Sequence, residues 1–176
     1  MSTAEAAAPA GAPSLAQLAF GDLEHELANT RRVLERVPDG RFDFKPHDRS
    51  FSLGSLAQHV SNLPSWVSTI LTTDELDVAA YPPQTPITTT AGLLEAFDRN
   101  TAQLRAELAR ADDAALHRPW SLKFAGATRF TMPKVAVVRN AGINHIIHHR
   151  AQLTIYLRLL DVPVPGLYGP SADEKF

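Results

Sequence analysis

Three histidines fall within five residues in NHIIHHRAQL, residues 144–153, and a fourth, His59, stands far upstream in LAQHVSNLPSW. Neutral imidazole is the commonest protein metal ligand, and two histidines four residues apart on a helix can chelate one cation from a single face. His145 and His149 have that spacing. With His59 as a third donor, the set leaves at least one coordination position for water or substrate, which is the pattern of a catalytic metal and not a structural one. Imidazole ligands suit a divalent ion, zinc or nickel foremost, with iron or copper also compatible. The chain has no cysteine, so disulfides, thiolate metal sites and a cysteine nucleophile are all excluded. Three imidazole ligands bind only when unprotonated, so metal is expected to leave as the pH falls through about 6.

That chemistry requires elements that bring distant rings together, and four segments carry helical periodicity. The first runs from Ser14 to Val37 and stops at Pro38-Asp39-Gly40, with Phe20, Leu23, Leu27 and Leu34 on one face. The second starts after Ser52, a good N-cap, and reaches Thr73; its stripe is Leu56, Val60, Leu63, Val67 and Ile70, with Pro64 inside and expected to kink it. A Pro- and Thr-rich connector leads to a third helix from Thr90 to Ala111, with Leu94, Phe97, Thr101, Leu104 and Leu108 facing the core. SLKFAGATRFTM alternates around Gly126 and reads as a short hairpin or structured loop. The fourth helix runs from Met132-Pro133 to Leu160. Four helices with modest connectors point to an all-α fold, a four-helix bundle. Residues 1–13, rich in Ala and Pro, read as a disordered lead, and residues 14–176 as one domain.

At about 100° per residue, His149 lies about 40° and Gln152 about −20° from His145, with Tyr156 near 20°, close to Ile146, Leu153 and Leu160. His148 lies about 60° off at the stripe's edge, and Arg150 points away. His148, at i+3 from His145, is the weaker alternative ligand to His149. On the second helix His59 falls beside Leu63, Trp66 and Ile70. The rings therefore face a common interior, where each must find a hydrogen-bond partner, stay neutral or bind a cation. Ordinary hydrogen-bonded core histidines are the competing interpretation. His25 reads as solvated, His47 as an exposed loop residue at the mouth of a site, and His117 as unpartnered.

The net charge of −2 provides no basic face for nucleic acid. No apolar run approaches the roughly 18 residues of a membrane span, and the N-terminus lacks the pattern of a signal peptide, so a cytoplasmic protein is expected. The metalloprotease pattern, with a Glu inside His-x-x-x-His, is absent, as are a nucleophile elbow and a phosphate-binding glycine loop. A protein base would have to come from elsewhere, with Glu24 and Asp48 as the candidates.

PHDRSFSLGSLAQHVSNLPSW resembles the second-helix motif of the DinB-like (YfiT-like) metal-dependent hydrolase superfamily, and NHIIHHRAQLTIYLRLLDVPVPGLYGPSADE resembles its closing motif. The likeness covers essentially the whole chain after the lead. It implies an up-down-down-up bundle, a homodimer, and a divalent metal held by His59, His145 and His149. It also implies a metal-dependent hydrolase or thiol-dependent transferase acting on a small molecule, such as a low-molecular-weight thiol as co-substrate. The alternative is a metal-binding stress-response protein without turnover. One departure is Ala151, where the superfamily commonly has Gly.

Overall fold

The computed structural model describes residues 13–175; the expected lead, apart from Pro13, lies outside them. Helix α1 (Leu15–Phe20) opens with a reciprocal capping box between Ser14 and Gln17. The single helix expected from Ser14 to Val37 is in fact two, because the path turns at Gly21-Asp22 before α2 (Leu23–Leu34). Glycine is a weak helix former, and the Asp22 carboxylate is held by Arg139 at 2.6 and 2.9 Å instead of capping α2. The arginine lowers the Asp22 pKa below the usual carboxylate value, chiefly through that hydrogen bond.

Helix α3 (Leu53–Thr72) begins where expected, with the Ser52 hydroxyl accepting from the Ser55 backbone N–H, and it continues past Pro64 as one element. All five stripe residues, Leu56, Val60, Leu63, Val67 and Ile70, are buried. Helix α4 (Thr90–Leu108), capped by Thr89, packs along α3, and its core face is centred on Leu93, Phe97 and Leu104, with Leu94 and Leu108 only partly covered.

The all-α expectation is corrected by a three-stranded sheet. Strands β2 (Pro119–Phe124) and β3 (Ala127–Pro133) form the expected hairpin, turning on Ala125 and Gly126 at φ 50° and 79°. Positive φ at both turn positions is the geometry that follows the natural twist of paired strands. The strand that could not be foreseen is β1 (Glu75–Asp77), which pairs parallel to β2 with Leu76 opposite Leu122. Three residues, two of them acidic, carry no readable alternation. Trp120 on β2 is buried and donates from its indole N–H to Thr73 Oγ1 at 3.1 Å, tying the sheet to the end of α3. A short helix α5 (Asp113–His117) precedes β2.

The last helical path has three geometries: α6 (Lys134–Val137), a π-helical stretch over Val138–Ile143, and α7 (Asn144–Leu159). The wide turn ends immediately before the histidine segment, a placement common beside functional sites. Gly142 lies in it against α3, where an added Cβ would stand 2.6 Å from Val67 Cγ2. A side chain at this position would push the π-helical stretch away from α3, so glycine allows the close approach just before the histidine-bearing α7. Arg150, expected to point away, is 1 % exposed. The wheel angle holds, but α2 and the tail segment after α7 cover that side, so it is interior and not solvent. Among the described residues, no helix is long and apolar enough to cross a membrane.

Candidate metal centre

His59 lies on the second turn of α3, His145 at the second position of α7, and His149 one turn on. All three are half-buried, and one ring nitrogen from each lies within 4.8 Å of the others. His145 Nε2 is 2.8 Å from His149 Nε2 and 3.4 Å from His59 Nε2. Bonds of about 2.0–2.1 Å to one ion give nitrogen separations of roughly 2.9 Å in octahedral and 3.3 Å in tetrahedral coordination. The two spacings, 2.8 and 3.4 Å, lie close to these two values, so the three histidines are positioned close enough to hold a metal ion.

The outward-facing nitrogens fix the protonation pattern. His145 Nδ1 is 3.3 Å from the Ala141 carbonyl, and His149 Nδ1 is 2.7 Å from Gln152 Oε1. Both partners accept, so both Nδ1 atoms carry the proton and both Nε2 atoms present bare lone pairs. Two bare nitrogens at 2.8 Å repel each other, and a cation between them turns that repulsion into coordination. Gln152 completes the arrangement by donating its amide to His148 Nε2 at 3.2 Å. His148 itself is exposed and stands outside the cluster.

Burial keeps the rings neutral. It is the main cause that pulls the His59 pKa down from 6.5 to about 4, with His149 and His145 adding repulsion. Burial also lowers His145, followed by His149, against an opposing pull from the Ala141 carbonyl. It lowers His149, against the hydrogen bond that His149 donates to Gln152. Folded-state values below the ordinary one mean that the unfolded chain takes up protons first, so acidification from about 6.5 toward 4 weakens the metal-free fold. The same lowering moves metal release below the pH of about 6 expected for ordinary imidazoles. Occupancy after stepwise dialysis is expected to hold at pH 6.5 and to fall steeply between about 6 and 4. Full retention at pH 4 is incompatible with imidazole ligands.

Two clefts reach the cluster. One, of about 360 Å³, is lined by Arg49, Ser50, Phe51, His149, Gln152, Ile155 and Tyr156. The other, of about 410 Å³, runs past Phe51, His59, Asn62, Trp66, Tyr81 and Gln84. Phe51 stands between them, its ring 6.4 Å from that of His59 and 57 % exposed. Among the described residues, no carboxylate lines either cleft. Glu24 is engaged by Arg105 at 2.8 Å, and Asp48 lines neither cleft, so neither candidate base is at the site.

Tyr156 and Gln152, which the helical wheel places on the His145 side of the last helix, both line the first cleft, and Tyr156 donates its hydroxyl to the Phe51 carbonyl at 3.0 Å. Arg49 and Phe51 were not anticipated. They precede the N-cap of α3 in a turn whose direction no helical period reveals. His47 lies exposed as expected, and its ring accepts from the Arg49 backbone N–H at 3.1 Å. His25 and His117 are exposed, and His25 meets Asn29 at 2.9 Å.

A mainly helical fold with three converging imidazoles defines a class before it defines a protein. The family model of the DinB family matches residues 17–175, and the chain belongs to that family. Its sequence is 25 % identical over 158 residues to the uncharacterized protein YrdA of Bacillus subtilis, covering 86 % of each. A DinB-like protein from Bacillus cereus superposes with a TM-score of 0.63 at 24 % identity, over 85 % of this chain and 95 % of that one. The DinB-like protein YjoA of Bacillus subtilis gives 0.66 at 16 % identity, over 90 % and 99 %. At those identities the two structures support the fold alone.

Proposed function

We propose that this chain is a metal-dependent enzyme in which His59, His145 and His149 hold one divalent cation, and that it acts as a hydrolase or thiol-dependent transferase on a small molecule. The observation that carries this is the convergence of three Nε2 atoms whose orientation is set from behind, for two of them, by Ala141 and Gln152. We also read α2, α3, α4 and α7 as the up-down-down-up bundle of the family, and residues 14–176 as one domain. A bound divalent cation supplies Lewis acidity to a water or thiol group. The chain's own residues orient the ligands, keep them unprotonated and wall two clefts against them.

The clefts favour an enzyme over a metal-binding protein without turnover, for which a closed site would suffice. The lack of a lining carboxylate favours a thiol, whose low pKa demands less of a protein base than water does. The test is metal analysis of the purified chain, followed by calorimetric titration of zinc- and nickel-loaded protein with low-molecular-weight thiols. One equivalent of metal and saturable thiol binding that disappears on metal removal is expected. Stoichiometric metal without thiol binding would leave hydrolysis as the reading to assay, and absence of metal binding would end both.

A further inference from the structure

The cleft over His149 is chemically lopsided. Among the described residues, Arg49 carries the one charged side chain that lines it, and neither the guanidinium nor the Ser50 hydroxyl makes a hydrogen bond or ion pair. Among the described residues Arg41, Arg99 and Arg129 form no ion pair either, but of these four arginines Arg49 is the one that lines the cleft over His149. Arg49 is also held in place. Its backbone N–H donates to His47 Nδ1 at 3.1 Å, and the next N–H, of Ser50, donates to the His47 carbonyl at 2.9 Å. A tight turn thus fixes the base of the side chain at the rim.

Beyond His149 and Gln152 at its inner end, the remaining walls are the apolar and aromatic side chains of Phe51, Ile155 and Tyr156. Phe51 and Ile155 are 57 % and 61 % exposed, on different elements, and both line this cleft. Apolar surface kept in water beside an unpaired guanidinium is a pattern that recognises an amphipathic anion. We infer that the cleft takes a small organic oxyanion, a molecule with an apolar body and a carboxylate or phosphate end. The Arg49 fork and Ser50 hold the anionic end, Phe51 and Ile155 cover the body, and the rest of the molecule points to His149. This assignment rests on the metal-enzyme reading for its purpose, but the binding itself does not require the metal.

The experiment uses the full chain, metal-loaded, titrated with butyrate, butyl phosphate and butanol while the Arg49 side-chain N–H and the His149 region are followed by NMR. Both anions are expected to saturate at 50 mM salt, with butanol at least tenfold weaker; whichever anion is tighter identifies carboxylate or phosphate as the preferred end. Arg49→Gln is expected to weaken the anions about tenfold and leave butanol unchanged, and Arg49→Lys is expected to lie between. Arg49 is exposed and its side chain makes no hydrogen bond or ion pair among the described residues, so these variants are expected to fold. Anion binding unaltered in Arg49→Gln, or butanol binding as tight as butyrate, overturns the assignment. Repeating the titration on His145→Ala separates the two ideas. Anion binding that persists there in an Arg49-dependent way upholds the cleft even if no variant or parent binds metal.

Discussion

Replacing His145 with Ala is expected to abolish stoichiometric metal binding, while replacing His148 with Ala leaves it in place. His145 is the middle of the cluster, 2.8 Å from one partner nitrogen and 3.4 Å from the other. Without it, His59 and His149 remain as two donors on separate helices, and chelation from one face of α7 is lost. The loss of a ligand exceeds the 10- to 100-fold typical for a group hydrogen-bonded to one, so affinity should fall by more than about 100-fold. His148 is three residues from His145 and is the natural rival on sequence alone. It is exposed, and its Nε2 meets the Gln152 amide instead of the other two rings. Removing it frees Gln152 but leaves the Oε1 contact to His149, so the cost is at most about tenfold. Metal analysis and competition titration on both variants, with helicity checked by circular dichroism, decide the matter. Equal retention, or greater loss in His148→Ala, would assign the ligands wrongly.

What could be read in advance was whatever obeys a period. The stripe of α3 and the face shared by His145 and His149 follow from 3.6 residues per turn, and all of α3's predicted core residues are buried. What could not be read depends on contacts across the chain. Strand β1 exists because β2 offers it an edge, and its three residues contain no pattern. The break at Gly21-Asp22 depends on Arg139, more than 100 residues away. The π-helical stretch before α7 places Gly142 against Val67 of α3, a contact across the chain that no local propensity encodes. The same holds at the site. The ligand set was legible because it lies on helices, whereas Arg49 and Phe51 lie in a turn whose direction is fixed by His47 and by the start of α3.

Arg150 is the clearest case of a residue whose role lies outside its own helix, and its replacement is expected to produce a large stability loss. The guanidinium is 1 % exposed and the Glu26 side chain it pairs with, at 2.7 Å, is 5 % exposed. Arg150 Nη1 also donates to the Glu26 carbonyl at 3.0 Å and to Thr30 Oγ1 at 3.3 Å, and the Tyr168 hydroxyl donates to Glu26 Oε2 at 2.7 Å. One side chain therefore joins α7, α2 and the tail. Removing it in Arg150→Met leaves the Glu26 charge buried with only Tyr168 beside it, a situation that costs about 3–5 kcal/mol. That is a large share of the roughly 5–15 kcal/mol that holds a typical domain together. Removing both charges, in Arg150→Met with Glu26→Gln, should recover at least about 1–2 kcal/mol of the loss, because the uncompensated ion is gone and Tyr168 still has an oxygen to donate to. Urea unfolding of the parent, both single variants and the double variant measures the cycle. A loss under about 1 kcal/mol in Arg150→Met would mean that water reaches Glu26 and that the tail does not seal this junction. Arg150 lines neither cleft, so the folded fraction of the variant should bind metal as the parent does, which separates the ion pair that holds α7 in place from the imidazoles that α7 carries.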